Sequence, residues 1–205
     1  MMINMQYPVN RIDMRYKPEH KERSRARIIS AAGTLFRRHG YGGVGIDQIM
    51  ASAKLTRGGF YSHFPSKSAL FTAVISSEHG FNAMMKRRAG PARTDLAAQA
   101  MAIAEGYLHP DNRDEIGAGC SMASLSIDVA RAGAPAQTAF SHKLTELAAE
   151  FARGLNKTKG LDPRALAAMA LCVGGAVLAR ASNDDDLVDQ LGAACRDAVE
   201  RQLKT

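Results

Sequence analysis

Residues 46–67 read IDQIMASAKLTRGGFYSHFPSK, and this stretch decides the fold of the N-terminal part of the 205-residue chain. Its apolar side chains recur at helical spacing in two short runs. They are Ile46, Ile49 and Met50 in the first run, Leu55 in a turn, and Phe60 and Phe64 in the second run. The pattern predicts two short helices joined by a tight turn. A Phe-Pro-Ser-Lys break at residues 64–67 then opens another helix.

The second of these short helices, predicted over residues 57–63, has a polar outer side. This side is formed by Thr56, Arg57, Gly58, Gly59, Tyr61, Ser62 and His63. It offers donors for phosphate, one guanidinium for a base edge, and glycines that let the backbone come close. A helix lying in the major groove of DNA needs these groups. The glycines have a second interpretation, a helix of low intrinsic stability, because each disfavours a helix by about 1 kcal/mol relative to alanine.

Positive charge is concentrated around the same stretch. Residues 1–67 contain 12 lysines and arginines against 4 acidic residues, a net charge of +8, whereas residues 68–205 carry −1. Clustered cations attract the phosphate backbone by releasing counterions, without preference for base sequence. A solvated basic tail would have a similar composition, so the charge indicates DNA binding only in combination with the two-helix pattern.

Composition is that of a soluble globular protein, and the reducing cytoplasm is the expected location. The N-terminus lacks the apolar region of a secretory signal. The 15 residues 165–179 are apolar and uncharged, but a membrane-spanning helix needs about 20, so a buried interface helix is expected. Cys120, Cys172 and Cys195 are too few and too dispersed for a disulfide framework or a zinc site. We interpret them as small buried hydrophobic residues rather than redox sensors.

Two motifs suggest a bound group, and neither has the required context. Residues 40–45 read GYGGVG, which matches the dinucleotide fingerprint G-x-G-x-x-G. That fingerprint works after a strand and at the start of a helix, whereas here it follows a predicted helix. The acidic run 184–186 suggests a metal site, but capping of the helix that follows explains it better. We therefore expect no cofactor and no metal.

Helical periodicity continues along the chain, and no stretch shows the sustained alternation of a strand. Further helices are predicted over residues 22–39, 67–88, 94–108, 120–130, 135–156, 164–181 and 184–204. Ser66 and Asp162 are predicted N-caps, and Gly40 is predicted to end the first helix. Arg37 is expected to favour the C-terminal end of that helix through its dipole. The chain is therefore expected to be all-α, with about nine helices.

Several elements of the N-terminal third occur in a defined order. They are Ala31-Ala32, Leu35-Phe36, His39-Gly40-Tyr41, Ile46, Ile49, and residues 55–61, 63–67 and 69–71. In this order and spacing they resemble the TetR family of bacterial transcriptional repressors. The resemblance implies a flexible arm over residues 1–20 and a three-helix helix-turn-helix domain over residues 21–66. It also implies a helical ligand-binding and dimerisation domain over residues 67–205.

The resemblance assigns a role to residues around the turn. Residues 57–63 would be the recognition helix, which Thr56 would cap while contacting a phosphate. Arg57 would reach a base edge or a phosphate, and Tyr61 and His63 would contact the DNA backbone. Lys67, at the start of the fourth helix, would add a further phosphate contact.

Two positions depart from the family pattern. Lys54 occupies a turn position that is usually glycine, where a left-handed backbone would cost a lysine roughly 1 kcal/mol. This departure suggests an altered turn. Gly45 stands where a threonine commonly caps the second helix, which suggests that a phosphate contact is missing.

The last two helices are expected to pair with those of a second copy as a four-helix bundle. The candidate interface residues are Leu166, Ala170, Val173, Gly174, Val177, Leu187, Leu191 and Val199. The candidate lining of a cavity for an unknown small-molecule effector is Phe81, Met84, Met85, Met101, Tyr107, Met122, Leu125, Phe140, Leu144 and Phe151. Residues of this kind are more often ordinary core than the wall of a ligand cavity. An effector bound there would move the fourth helix and release the homodimer from a palindromic operator on double-stranded DNA.

Other functions remain as alternatives at this point. An enzyme is not expected, because the six histidines are dispersed and none has a nucleophile or metal partner at suitable spacing. An architectural protein would bind random and promoter DNA with equal affinity. A ligand-responsive activator would share every feature described above.

Overall fold

The computed structural model of the chain describes residues 18–77, 95–110, 113, 116–155 and 161–204. These residues form eight α-helices and two short 3-10 helices, and no strand occurs among them. The α-helices are α1 Pro18–His39, α2 Ile46–Ser52, α3 Lys67–Ser76, α4 Leu96–Leu108, α5 Ser121–Arg131, α6 Ala134–Gly154, α7 Pro163–Ala181 and α8 Asp185–Lys204. The 3-10 helices are Arg57–Ser62 and Ile116–Ala118.

Side-chain caps begin several helices where the sequence predicts them. The Ser66 hydroxyl accepts a hydrogen bond from the Ala69 amide at 3.0 Å. The Asp162 carboxylate accepts from the Arg164 amide at 2.8 Å, and Asp184 caps α8 through the Leu187 amide at 3.0 Å. Each cap satisfies an amide that has no partner within its helix. Gly40 ends α1 with a φ of 71°, as predicted.

Two predicted helix boundaries differ from the structure. The first helix begins at Pro18 rather than at residue 22, so residues 18–20 of the predicted arm are helical, and residues 1–17 lie outside the described part. The helix predicted over residues 67–88 ends at Ser76, because Ser77 is extended and its hydroxyl donates to the Val74 carbonyl at 2.7 Å. Such a bond competes with the helical pattern. Residues 78–94 are outside the described part of the chain.

The N-terminal cluster of buried apolar side chains contains residues from both sides of the predicted domain boundary at residue 66. It is formed by Ile28, Ala32, Phe36, Ile49, Met50, Phe60, Phe64, Leu70, Phe71, Val74, Ile75, Leu125, Val129 and Ala136, with smaller contributions from their neighbours. Burying one large apolar side chain stabilises a fold by about 1.5–3 kcal/mol. Because α3, α5 and α6 supply part of this cluster, residues 21–66 share their core with the segment that follows.

The C-terminal cluster holds α4 to α8 together. Its buried members include Ile103, Tyr107, Leu147, Phe151, Cys172 and Val199. All three cysteines are buried and unpaired, as predicted. Burial raises the pKa of the Cys172 thiol to about 12, so it stays protonated at neutral pH and acts as a small apolar group. The Tyr107 hydroxyl donates to the Cys120 sulfur at 2.9 Å.

A buried arginine joins the two clusters. Arg37, expected to act on the dipole of α1, instead turns inward and donates from Nε and Nη2 to the Gly117 carbonyl, at 3.0 and 2.8 Å. Burial lowers the pKa of the Arg37 guanidinium below its ordinary value, yet arginine remains charged in proteins. Nearby, the Tyr41 amide donates to the Asp128 carboxylate at 3.2 Å. The end of α1 is therefore bound to the segment that leads into α5.

The Arg37 contact generates a stability prediction. In Arg37→Met the Gly117 carbonyl loses both donors, and an unsatisfied buried polar group costs about 1–3 kcal/mol. We expect the free energy of unfolding, measured by urea titration, to fall by that amount. Arg23→Met is the matched control, since Arg23 is an exposed arginine of the same helix and such changes alter stability by less than about 0.5 kcal/mol. Equal effects of the two substitutions would contradict the assignment.

Candidate nucleic-acid interface

Two buried phenylalanines fix the orientation of the short helix Arg57–Ser62. Phe60 is fully buried and Phe64 nearly so, with their ring centroids 6.0 Å apart. The Arg25 guanidinium covers the Phe64 ring at 5.0 Å. Since this face packs inward, the opposite face points to solvent: Tyr61 is 67% exposed and the Arg57 side chain 77% exposed. The outward orientation that DNA contact requires is therefore present.

The prediction of an α-helix over residues 57–63 is wrong in hydrogen-bond pattern. The Gly59 amide donates to the Thr56 carbonyl at 3.0 Å, and the His63 amide to the Phe60 carbonyl at 2.9 Å, so the segment is a 3-10 helix that ends at Ser62. Adjacent glycines at positions 58 and 59 support an α-helix poorly, and 3-10 geometry is common in such short pieces. Thr56 takes the N-cap backbone conformation, but its hydroxyl does not cap the helix, contrary to the prediction.

The turn between α2 and this helix keeps its left-handed residue despite the lysine. Lys54 has a φ of 54°. The Leu55 amide donates to the Met50 carbonyl and the Lys54 amide to the Ala51 carbonyl, both at 2.9 Å, which together form a Schellman motif. The Arg27 side chain of α1 donates to the carbonyls of Ala53 and Lys54. The expected alteration of the turn is therefore absent, and α1 holds the turn in place.

The polar residues of the outer face have local partners in this structure. The Arg57 Nη1 lies 3.0 Å from the Asp47 carboxylate on α2. The Ser62 hydroxyl donates to the Gly59 carbonyl at 2.7 Å. The Lys67 ammonium lies 4.3 Å from the centroid of the Tyr41 ring, an attractive cation–π contact. Lys67 must leave this ring before it can contact a phosphate.

His63 follows the short helix and is half-buried. Its Nδ1 is buried without a hydrogen-bond partner. Burial lowers the pKa of the imidazole from 6.5, and the positive charges of Lys21, Arg25 and His20 lower it further. The imidazole is therefore largely neutral at pH 7. It lines a groove of about 360 Å³ between α1 and the short helix, which Lys21, Ser24 and Thr56 also line.

The glycines near the turn differ in their surroundings: Gly45 is the N-cap of α2, whereas Gly58 and Gly59 lie in the short helix Arg57–Ser62. Gly45 begins α2, where its amide donates to the Gln48 side chain at 2.7 Å, and glycine supplies no capping side chain of its own. A Cβ at Gly58 would meet no atom within 4 Å, and one at Gly59 would make ordinary contacts at 3.8 and 3.9 Å. Among the described glycines, positive φ occurs at Gly40 and Gly133 only. The fold of the chain itself therefore does not require glycine at positions 58 and 59.

The predicted effector-binding residues are not brought together around one described cavity. Phe81, Met84 and Met85 lie outside the described residues. Tyr107, Met122 and Phe151 are buried in the C-terminal cluster, and Met101, Phe140 and Leu144 pack against it, whereas Leu125 belongs to the N-terminal cluster. Of the seven described candidates, Tyr107 alone lines a cavity between α4, α7 and α8, whose volume of about 20 Å³ suits one water molecule.

The predicted dimer-interface residues divide by exposure. Leu166, Ala170, Val177 and Leu187 are exposed, and a Cβ at Gly174 would meet open space. Val173 and Leu191 are half-buried against the C-terminal cluster. Val199 was wrongly predicted, because it is fully buried in the core of its own chain. Leu178, which the prediction omitted, is exposed beside Val177.

The short-helix region matches a known family. Residues 28–74 match the family model described as bacterial regulatory proteins, tetR family. Among curated proteins, the A-factor receptor protein of Streptomyces griseus is 37% identical over 51 residues, which are 25% of this chain and 18% of that protein. The chain therefore aligns with less than a fifth of that relative.

Solved structures share the fold of nearly the whole chain. A TetR transcriptional regulator from Chloroflexus aurantiacus has a TM-score of 0.69 at 21% identity, over 90% of this chain and 98% of that chain. The reduced form of NemR from E. coli has a TM-score of 0.66 at 19% identity, over 85% of this chain and 96% of that chain. At these identities the likeness shows the fold, and the predicted all-helical architecture is confirmed.

The left-handed lysine of the turn generates a second stability prediction. In Lys54→Gly the left-handed penalty disappears, so the free energy of unfolding is expected to rise by about 1 kcal/mol. In Lys54→Ala, which removes the charge and keeps a Cβ, we expect a change below about 0.5 kcal/mol. Urea titration measures both. A gain of the same size in the alanine variant would show that charge, rather than backbone conformation, limits stability here.

Proposed function

We propose that this chain, whose residues 28–74 match the tetR family model, is a transcriptional regulator of that family. It would act as a homodimeric repressor of a palindromic operator in the cytoplasm, released by a small-molecule effector. DNA binding in transcription regulation belongs to the family, and the proteins compared above are regulators or receptors, not enzymes. The dimer, the operator symmetry, the repression and the effector are our proposals.

The outward face of the helix Arg57–Ser62 is the observation that carries DNA reading. Phe60 is buried, while Arg57 and Tyr61 are exposed on the opposite side. A guanidinium can read a base edge, and a phenolic hydroxyl can contact a phosphate. The excess of lysine and arginine in residues 1–67 supplies attraction to the DNA backbone. We propose Thr56, Ser62, His63 and Lys67 as further backbone contacts.

The two glycines of this helix support close approach to DNA. They weaken a helix, and nothing in the described chain requires them, since a Cβ fits at both positions. Proximity to a DNA backbone would account for them, because a side chain there would hold the helix away from the groove. Gly45, at the start of α2, would let its helix approach a phosphate in the same way.

The exposed apolar surface of α7 supports the dimer. Among the described helices, α7 is the one that is long and apolar enough to cross a membrane, by length and composition alone. Only 28% of its most apolar 18-residue stretch is buried inside the chain. Leu166, Val177 and Leu178 are exposed along it. In a homodimer, α7 and α8 of one copy would pack against α7 and α8 of the second copy and cover this surface.

Two-fold symmetry would determine the geometry of the operator. A symmetric pair presents two identical reading helices to successive major grooves, whose centres are about 34–36 Å apart. Such a pair prefers a site with two inverted half-sites. An architectural protein lacks this preference, so the symmetry of the bound site distinguishes the two functions.

The contact between the N-terminal and C-terminal clusters offers a route by which a bound effector would release the protein from DNA. Arg37 binds the Gly117 carbonyl, and Gly117 lies three residues before Cys120, the hydrogen-bond partner of Tyr107 in the C-terminal cluster. An effector that preferred a different arrangement of these residues would shift α1 and the reading helix with it. It must bind the two arrangements with different affinity, because otherwise it shifts nothing.

The experiment that tests DNA reading compares two glycine variants. The full-length chain is first used to select a preferred duplex from a random library, and dissociation constants are then measured by fluorescence anisotropy at fixed salt. We expect Gly58→Ala to raise the free energy of unfolding by up to about 1 kcal/mol. We also expect it to weaken binding to the selected duplex at least tenfold, because the new methyl group meets the DNA.

Gly42→Ala is the matched control for this experiment. Gly42 also has open space around its Cβ position and no positive φ, but it lies in the connector between α1 and α2. Its substitution is expected to stabilise the fold and leave DNA affinity unchanged. Undiminished binding by Gly58→Ala, or a wild-type chain that selects no site, would contradict the proposed reading helix.

The proposed interface is tested by placing charge on α7. Leu178→Glu is expected to convert the homodimer to a monomer in sedimentation velocity, because it would bury a carboxylate between apolar helices. Ile127→Glu is the control: Ile127 on α5 is 65% exposed, against 57% for Leu178, but lies outside the proposed interface. We expect this variant to stay dimeric. A monomeric wild type, or dissociation by both variants, would exclude an interface through α7 and α8.

A further inference from the structure

The single carboxylate near the reading helix has an unusual position. Asp47 is the one acidic residue between positions 23 and 67 of the sequence. It lies in the first turn of α2 and accepts from the Arg57 Nη1 at 3.0 Å. Both side chains are largely exposed, Asp47 at 61%. An exposed ion pair of this kind contributes little to the stability of a fold.

A carboxylate on this surface opposes DNA binding in general. It repels the phosphate backbone, and it partly neutralises the field that the surrounding lysines and arginines create. The turn at Lys54 nevertheless brings this carboxylate onto Arg57, the one arginine of the reading helix. A carboxylate in the first turn of α2 also suits the helix dipole, but that interaction does not require contact with Arg57. The contact itself is therefore better explained by what Asp47 does to Arg57 than by affinity for phosphate.

We propose that Asp47 positions Arg57 for base reading and thereby determines sequence preference. A guanidinium carries five N–H donors in one plane. With Nη1 held by Asp47, the remaining donors point in a restricted direction, and two of them can bind the O6 and N7 atoms of one guanine. Restricting the rotamer before binding also lowers the entropy lost on docking. This inference rests on the proposed DNA-reading function.

The alternative role of Asp47 predicts a different result. If its carboxylate only reduces the positive field, its removal strengthens binding to every duplex by the same factor. If it positions Arg57, its removal reduces discrimination at one base pair of each half-site. Discrimination here means the ratio of dissociation constants for a single-base variant and for the preferred duplex. The ratio is insensitive to uniform electrostatic effects, which cancel.

The test uses the full-length chain and the preferred duplex selected from the random library. Discrimination is measured at each base pair for wild type, Asp47→Asn, Arg57→Ala and the double variant, at one salt concentration. A well-made arginine–guanine contact discriminates by roughly 5- to 150-fold. We expect Asp47→Asn to lower that ratio about threefold at one position per half-site, the size of effect that an exposed ion pair supports. In the Arg57→Ala background the same substitution should then have no effect on the ratio.

Glu22→Gln is the matched control, because it removes one exposed carboxylate of the same basic segment without touching Arg57. It is expected to strengthen binding to all duplexes alike and leave every ratio unchanged. The inference is overturned if Asp47→Asn behaves like Glu22→Gln, or if its effect persists without Arg57. A wild type that binds every duplex equally would instead refute the proposed function itself, so the two failures are distinguishable.

Discussion

Burial of Phe60 and Phe64 is the constraint on which the rest of this protein depends. These two rings fasten a six-residue 3-10 helix to the N-terminal cluster, although the helix contains two adjacent glycines and has little stability of its own. Because one face is held inside, Arg57 and Tyr61 must lie outside. The chemistry of the DNA-facing surface thus follows from hydrophobic packing on its opposite side, and the left-handed turn at Lys54 sets the distance from α2.

The same cluster makes DNA reading dependent on the C-terminal helices. Leu125 and Val129 of α5 complete it, and Arg37 of α1 binds the backbone just before α5. A buried guanidinium with a carbonyl as acceptor is a demanding arrangement, since both groups lose water on folding. These contacts join α1 directly to the C-terminal helices. They would give the proposed effector a second route to the reading helix, through the end of α1, beside the one expected through the fourth helix.

Local signals predicted most of the fold, and tertiary contacts account for what they missed. Most of the predicted helices, the Ser66 cap and the Gly40 terminus depend on neighbours in sequence, and they are present among the described residues. Arg37 could not be predicted as buried, because its acceptor is 80 residues away. Val199 and Leu178 are both apolar residues of the last two helices, and only packing shows that the first faces the core and the second faces solvent. The Asp47–Arg57 pair likewise depends on the turn geometry.

The central claim is that a symmetric pair of these chains places two short reading helices in adjacent major grooves. Hydroxyl-radical footprinting of the full-length wild-type chain on DNA flanking its own gene tests it most directly. The account predicts protected backbone segments related by two-fold symmetry, with half-site centres about one helical turn apart. Continuous protection without a centre of symmetry, or no protection at concentrations where the chain binds DNA, would contradict it.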